Sequence, residues 1–218
     1  MASTFIAHIE ELNRLLLQMA TMSEEMVRRS LEALRNQNVK AARVVILRDD
    51  DVDSLENTIT AHILRSLSDQ HPVAVDLRFF LSAQKITNDL ERVADHAVNI
   101  AESAIALADA PHVKPLVNIP KMTDIVVQML KEAIDSFVYR DTSLALAVRR
   151  RDDEIDELHK LVRSTLSAIV KDEPHTFDRA LHLLDVSTDL ERIADLATNI
   201  AEEVFFITDA EVMKHKEI

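Results

Sequence analysis

The stretch Asp89-Leu90-Glu91-Arg92-Val93-Ala94-Asp95-His96-Ala97-Val98-Asn99-Ile100-Ala101-Glu102 returns one hundred positions later as Asp189-Leu190-Glu191-Arg192-Ile193-Ala194-Asp195-Leu196-Ala197-Thr198-Asn199-Ile200-Ala201-Glu202, with three substitutions in fourteen positions. Both copies read as helix. Residues four apart share a helical face about one turn from each other, so Glu91 and Asp95, like Glu191 and Asp195, aim two carboxylates at one patch of space. Like charges at that spacing cost a few tenths of a kcal/mol per pair in an isolated helix. A positive group is expected to offset the repulsion, and to do so twice.

The prolines punctuate what surrounds the motif. Pro72, Pro111, Pro115, Pro120 and Pro174 are the only five, and each fits a helix start or a connection between helices. Before Pro72, the spacing of Phe5, Ile9, Leu12, Leu16, Met19 and Met26 predicts a long helix from about Thr4 to Asn36. A second is expected from about Val39 to Ser68, with Val52, Leu55, Ile59, Ile63 and Leu67 on its inner stripe. Pro72 opens a third that ends near Ala108. The segment from Ala110 to Pro120 holds three prolines and reads as a linker. The same order then resumes, with helices expected over about Lys121 to Tyr139 and Thr142 to Val170, and a last one opened by Pro174 and running to about Thr208. The predicted fold is all-α: two tandem three-helix bundles related by internal duplication, residues 1–110 and 121–218, joined by a Pro-containing linker over 111–120.

Composition agrees with helices and excludes several function classes. There is no glycine in 218 residues, which removes the residue that hairpin turns and phosphate-cradling loops depend on. Hydrophobic residues make up 47% and aromatics only 4%, so the core is expected to be aliphatic. Without cysteine there are no disulfides, thiolate zinc sites or cysteine nucleophiles. No stretch reads as a signal peptide or membrane span, and a cytoplasmic location is expected. A formal net charge of −13 makes nucleic acid a poor partner and favours cations.

Each second helix carries a further acidic cluster. Asp49-Asp50-Asp51-Val52-Asp53 corresponds to Asp152-Asp153-Glu154-Ile155-Asp156, so Asp49 and Asp53, and Asp152 and Asp156, repeat the four-residue spacing. If the second and third helices pack antiparallel, four carboxylates converge in each unit. Oxygen donors without sulfur select hard cations such as Mg²⁺, Mn²⁺ or Ca²⁺, and iron where carboxylates bridge. The competing reading is structural: acids near helix starts favour the helix dipole, and Arg78, Arg92, Arg149 to Arg151 and Arg192 supply ordinary salt bridges. Recurrence at matched positions in both halves favours metal. Asn99 and Asn199, one turn beyond Asp95 and Asp195, are either hydrogen-bonding groups behind the metal ligands or polar links between helices. His96 faces a leucine in the other copy, Leu196, so no imidazole ligand is expected in both halves; an exposed or locally hydrogen-bonded histidine is.

Enzyme chemistry finds little to stand on. None of the nine histidines has a glutamate three positions before it, so the ligand set of a ferritin-like di-iron oxidase is missing. Glycine-dependent nucleophile elbows and phosphate loops are excluded. A carboxylate-bridged metal-storage or oxidoreductase bundle stands as the alternative reading.

From Asp76-Leu77-Arg78-Phe79-Phe80-Leu81 through Lys85-Ile86 into Asp89-Leu90-Glu91-Arg92, with the second Asp189-Leu190-Glu191-Arg192, the chain resembles the PhoU family over nearly its full length. Members are duplicated three-helix bundles with Glu/Asp-x-x-x-Asp motifs. The resemblance implies metal on Asp49, Asp53, Glu91, Asp95, Asp152, Asp156, Glu191 and Asp195, as a divalent ion or iron cluster (iron, magnesium, manganese or zinc). It departs from the family where Ala94 and Ala194 stand for a frequent glycine and Leu196 for a histidine or other polar residue. It also implies a homodimeric, non-enzymatic cytoplasmic regulator of phosphate uptake. Such a protein acts as a negative adaptor between a phosphate ABC transporter ATPase and a sensor histidine kinase, and meets the membrane only through those partners.

Overall fold

A computed structural model describes residues 2–70, 74–111 and 118–208. Helix α1 (Ala2–Asn36) ends where the sequence predicts, although no glycine is available to end it. Gln37 takes the left-handed conformation instead, at φ 50°, and Arg140 does the same after α5 (Asn118–Tyr139) at φ 54°. The hydrogen bonds around both are those of a Schellman turn: Asn38 N–H to the Ala33 carbonyl and Gln37 N–H to Leu34, then Asp141 N–H to Ser136 and Arg140 N–H to Phe137. In each turn the next residue caps the following helix. The Asn38 side chain accepts from Ala41 N–H, and Asp141 accepts from Ser143 and Leu144. Left-handed non-glycine residues cost about 1–2 kcal/mol. Gln37 recovers part of that by donating to the carbonyls of Leu107 and Ala110 at the end of the third helix.

The second helix of the first unit differs from the expected single span. It is α2 (Val39–Leu47) followed by α3 (Asp49–Gln70), interrupted at Arg48. Arg48 N–H is shared between the carbonyls of Val44 and Val45, and its own carbonyl accepts from both Asp51 and Val52. Its guanidinium is drawn toward Glu25 of α1, at 3.5 Å. In the second unit the equivalent α6 (Thr142–Asp172) runs unbroken. The third helices are α4 (Ala74–Ala106) and α7 (Phe177–Thr208), the latter entered through a single 3₁₀ turn, Pro174–Thr176. The expected start of the third helix at Pro72 and most of the linker lie outside the described residues.

No strand occurs among the described residues, and the three helices of each unit pack on one another. The units also pack together, chiefly through α4 on α7 and α1 on α5, so one aliphatic core runs through both. Helices α4 and α7 are antiparallel: Ser82 and Lys85 meet Glu203, whereas His96 and Asn99 meet Asp189. Small residues let helix axes approach where glycine is absent. Ala94 and Ala194 are fully buried, and Ser23 of α1 bonds to the Leu90 carbonyl of α4. Phe79 stacks on Phe137, tying α4 to α5.

Candidate metal centres

The acidic pairs sit on neighbouring helices of each unit, Asp49 and Asp53 on α3 beside Glu91 and Asp95 on α4, and Asp152 and Asp156 on α6 beside Glu191 and Asp195 on α7. In each unit the carboxylates lie near enough for their charges to act on one another. Partial burial, then Asp95, Glu56, Asp53 and Asp49 in turn, push the Glu91 carboxyl up to about 7. Asp49 is raised by burial and by Asp53, Asp95 and Asp50. In the second unit, burial followed by Asp195, Asp156, Asp153 and Glu191 pushes Asp152 up to about 6. Burial and Asp195 raise Glu191, with His159 and Arg192 pulling the other way. Burial and Asp156 raise Asp195. A carboxylate whose charged form is disfavoured in this way gains when a cation arrives.

The structural reading of these acids does not rest on direct ion pairs. Three of the arginines are engaged elsewhere, Arg92 with Asp89 at 3.6 Å, Arg149 with Glu202 at 3.4 Å and Arg151 with Glu132 at 2.7 Å, while Arg192 acts on Glu191 without a direct ion pair. Among the described residues none of the eight carboxylates makes a direct ion pair. The helix dipole can act on Asp49, Asp50 and Asp51, which fill the first turn of α3. It cannot explain Asp152 and Asp156, which lie about three turns inside α6. The donor set suits a hard cation. Among the described residues, no three His, Asp or Glu side chains are drawn together tightly enough to hold an ion.

Two residues that the motif reading left out join the clusters. Glu56 acts on Glu91, and His159, at the matching position of the second unit, acts on Glu191. Each lies three residues after the second aspartate, Asp53 or Asp156, a spacing visible in the sequence once the acidic pairs are aligned. His159 is oriented by a 3.0 Å bond between its Nδ1 and Ser187 Oγ.

The asparagines are not equivalent. Asn99 donates to Asp189 Oδ1 at 3.4 Å, across the seam between units, so it links helices, while Asn199 is half-buried on α7. His96 is neither exposed nor locally bonded. It is 9% exposed, and its Nδ1 lies 2.9 Å from Asp189 Oδ1 of the other unit.

A duplicated three-helix bundle bearing a carboxylate cluster on the second and third helices of each unit defines a class of tandem-bundle proteins with paired acidic sites. Solved structures share the architecture: PhoU from Pseudomonas aeruginosa superimposes with a TM-score of 0.91 at 31% identity, covering 95% of this chain and 100% of that one. PhoU from Streptococcus pneumoniae, at 24% identity, shares the fold with a TM-score of 0.89 over 95% of this chain and 98% of its own. The PhoU domain model matches residues 16–104 and again 119–204, and the chain belongs to the PhoU family. An Aquifex aeolicus relative, described as a phosphate-specific transport system accessory protein PhoU homolog, is 40% identical over 96% of this chain and 95% of its own. A Clostridium acetobutylicum relative with the same description is 35% identical over 95% and 96%. Among the described residues no helix is long and apolar enough to cross a membrane.

Proposed function

We propose that the chain is an accessory protein of a phosphate-specific transport system, acting as a cytoplasmic negative regulator that binds partners rather than turning over a substrate. The observation that carries this reading is the match of the PhoU domain to both units, joined by relatives that carry the transport-system description along nearly their full length. In the finer reading, the chain is a homodimeric adaptor between the transporter ATPase and a sensor histidine kinase. Asp49, Asp53, Glu91 and Asp95 hold one metal centre, and Asp152, Asp156, Glu191 and Asp195 the other. The support is chemical: eight carboxylates with no direct cationic partner, of which Asp49, Glu91, Asp152, Glu191 and Asp195 are raised by burial and by the charges around them. A bound cation would draw each pair of helices together and fix the surface they present.

Deletion of the gene tests the assignment. Phosphate-starvation genes are expected to switch on in phosphate-rich medium, and silence of those genes would overturn it. Replacing Glu91, Asp95, Glu191 and Asp195 by their amides is expected to weaken repression while the fold survives. Full repression by a folded, metal-free quadruple variant would separate the metal centres from regulation.

A further inference from the structure

Between Arg28 and Arg48 the chain carries six basic residues and one acid, Glu32, although its net charge is −13. The matching stretch of the second unit, Lys131 to Arg151, carries five against three. Only part of the basic excess is absorbed internally. Arg28 pairs with Glu24, and Arg29 and Arg48 with Glu25. Among the described residues Arg35, Lys40 and Arg43 are exposed and make no ion pair. On α2 the open cations are interleaved with aliphatic side chains. Lys40, Arg43, Val44 and Leu47 fall on one side of the helix, away from the buried Ala42 and Val45, at the three- and four-residue spacings of helical neighbours. Val44 is 46% exposed and Leu47 72%. The same positions of the second unit hold Ser143, Leu146, Ala147 and Arg150, so the stripe is not repeated.

Beside the stripe, a slot of about 370 Å³ lies between α1 and α2, lined by Arg29, Glu32, Ala33 and Asn36 of the first helix and by Ala41 and Val44 of the second. Val44 belongs to both slot and stripe, so the two form one surface. Its charge and its shape together define what fits. The unpaired cations call for carboxylates, and the exposed aliphatics and the alanine walls of the slot call for apolar side chains on the same partner. An anionic bilayer meets the first requirement but not the second, because a flat headgroup layer does not fill a slot and the Glu32 carboxylate in its wall repels lipid phosphates. A helix with acids on its flanks and aliphatics along one face meets both.

We propose that the α1–α2 end of the first unit docks an acidic amphipathic helix of a partner protein. The aliphatic side chains of that helix enter the slot and cover Val44 and Leu47, and its carboxylates lie over Lys40 and Arg43, with Arg35 extending the positive field that draws it in. The inference rests on the reading of the chain as a protein that works by binding partners. It does not depend on the metal centres, to which no residue of this surface contributes.

The test is a fluorescently labelled peptide of about fourteen residues, with leucines along one helical face and glutamates on the flanks, titrated with the full chain at physiological ionic strength and followed by anisotropy. Saturable binding at one site per chain is expected, weaker by about tenfold when the glutamates are exchanged for glutamines. Lys40→Glu with Arg43→Glu is expected to weaken it about tenfold, and Leu47→Ser about fivefold. Arg163→Glu with Lys171→Glu makes the same change of charge at exposed positions of α6 and should leave binding unchanged. Vesicles of phosphatidylserine and phosphatidylcholine should not retain the chain. Absence of saturable peptide binding, equal affinity in Lys40→Glu with Arg43→Glu, or vesicle retention that this variant abolishes would each overturn the proposal. A fall in the mass of the chain in solution on the same double change would also overturn it, by giving the surface to a second copy. Should the double variant fail to fold, Arg43→Gln decides, with a loss of about threefold expected. A chain whose deletion switches on phosphate-starvation genes but which binds no peptide refutes this surface alone.

Discussion

Glu56 of α3 and His159 of α6 occupy the same place in the two units, each three residues beyond the second aspartate of its acidic cluster, and they differ in charge. The first cluster therefore gathers five carboxylates, whereas the second gathers four around an imidazole. Two centres that share a motif are expected to differ in their preference for metals, because imidazole suits transition metals and carboxylate alone suits Mg²⁺, Ca²⁺ and Mn²⁺.

That difference is measurable. Titration of the apo protein with Mn²⁺ should resolve two sites, and His159→Glu should make them alike. Glu91→Gln with Asp95→Asn is expected to remove one site and spare the other, as read by elemental analysis and anomalous scattering. Saturation at about one hundred times Kd should stabilise the fold by about 2.7 kcal/mol per site. A protein that gains no melting temperature from any hard cation would return the clusters to a structural role.

The metal-free protein should lose stability as pH rises. Glu91 titrates near 7 in the folded state against an ordinary value of 4.5, and Asp152 near 6 against 3.8. A carboxyl whose folded-state pKa is raised costs nothing below its unfolded pKa, and its penalty grows until the folded pKa is passed. In chelator, urea denaturation is therefore expected to show stability falling between about pH 4 and pH 7. Glu91→Gln should flatten the upper part of that slope, and saturating cation should reverse it. A stability that rises over this interval in chelator would contradict the crowding of the carboxylates.

His96→Leu, which copies the residue of the second unit, should leave the buried Asp189 carboxyl with only the 3.4 Å contact of Asn99. A cost of about 2–4 kcal/mol is expected. Adding Asp189→Leu should restore much of it, because an apolar pair removes the buried charge and the Asn99 amide it frees can turn to solvent. Chemical denaturation of the two single variants and the double variant gives the coupling directly, and additive losses would exclude a direct interaction.

Arg140→Gly should stabilise the fold by about 0.5–1 kcal/mol, since it relieves a left-handed residue while forfeiting a 6.0 Å contact with Phe79. Gln37→Gly is expected to gain less or nothing, because the side chain it removes ties α1 to the end of α4. The difference between the two melting temperatures is the test.

Periodicity and proline placement located the helices to within a few residues, and the repeat singled out the eight acids that the fold sets on neighbouring helices, because both signals are local along the chain. The interruption at Arg48 was invisible: Val39 to Ser68 holds no proline or glycine, and the break depends on carbonyl sharing and on Glu25 of another helix. Gln37 and Arg140 gave no signal either, since a left-handed turn is ordinarily read from a glycine. The partner of His96 lies ninety-three positions away, and only the antiparallel crossing of α4 and α7 brings it near.

The bond between His96 and Asp189 also makes the order of the halves matter. In a chain of two first halves, each buried aspartate at the seam would meet a histidine. In a chain of two second halves, each would meet a leucine and keep only the longer contact with an asparagine. The second half has thus come to rely on the first without the converse, so an ancestral unit that once assembled with its own copy could no longer be recovered by cutting out the C-terminal half.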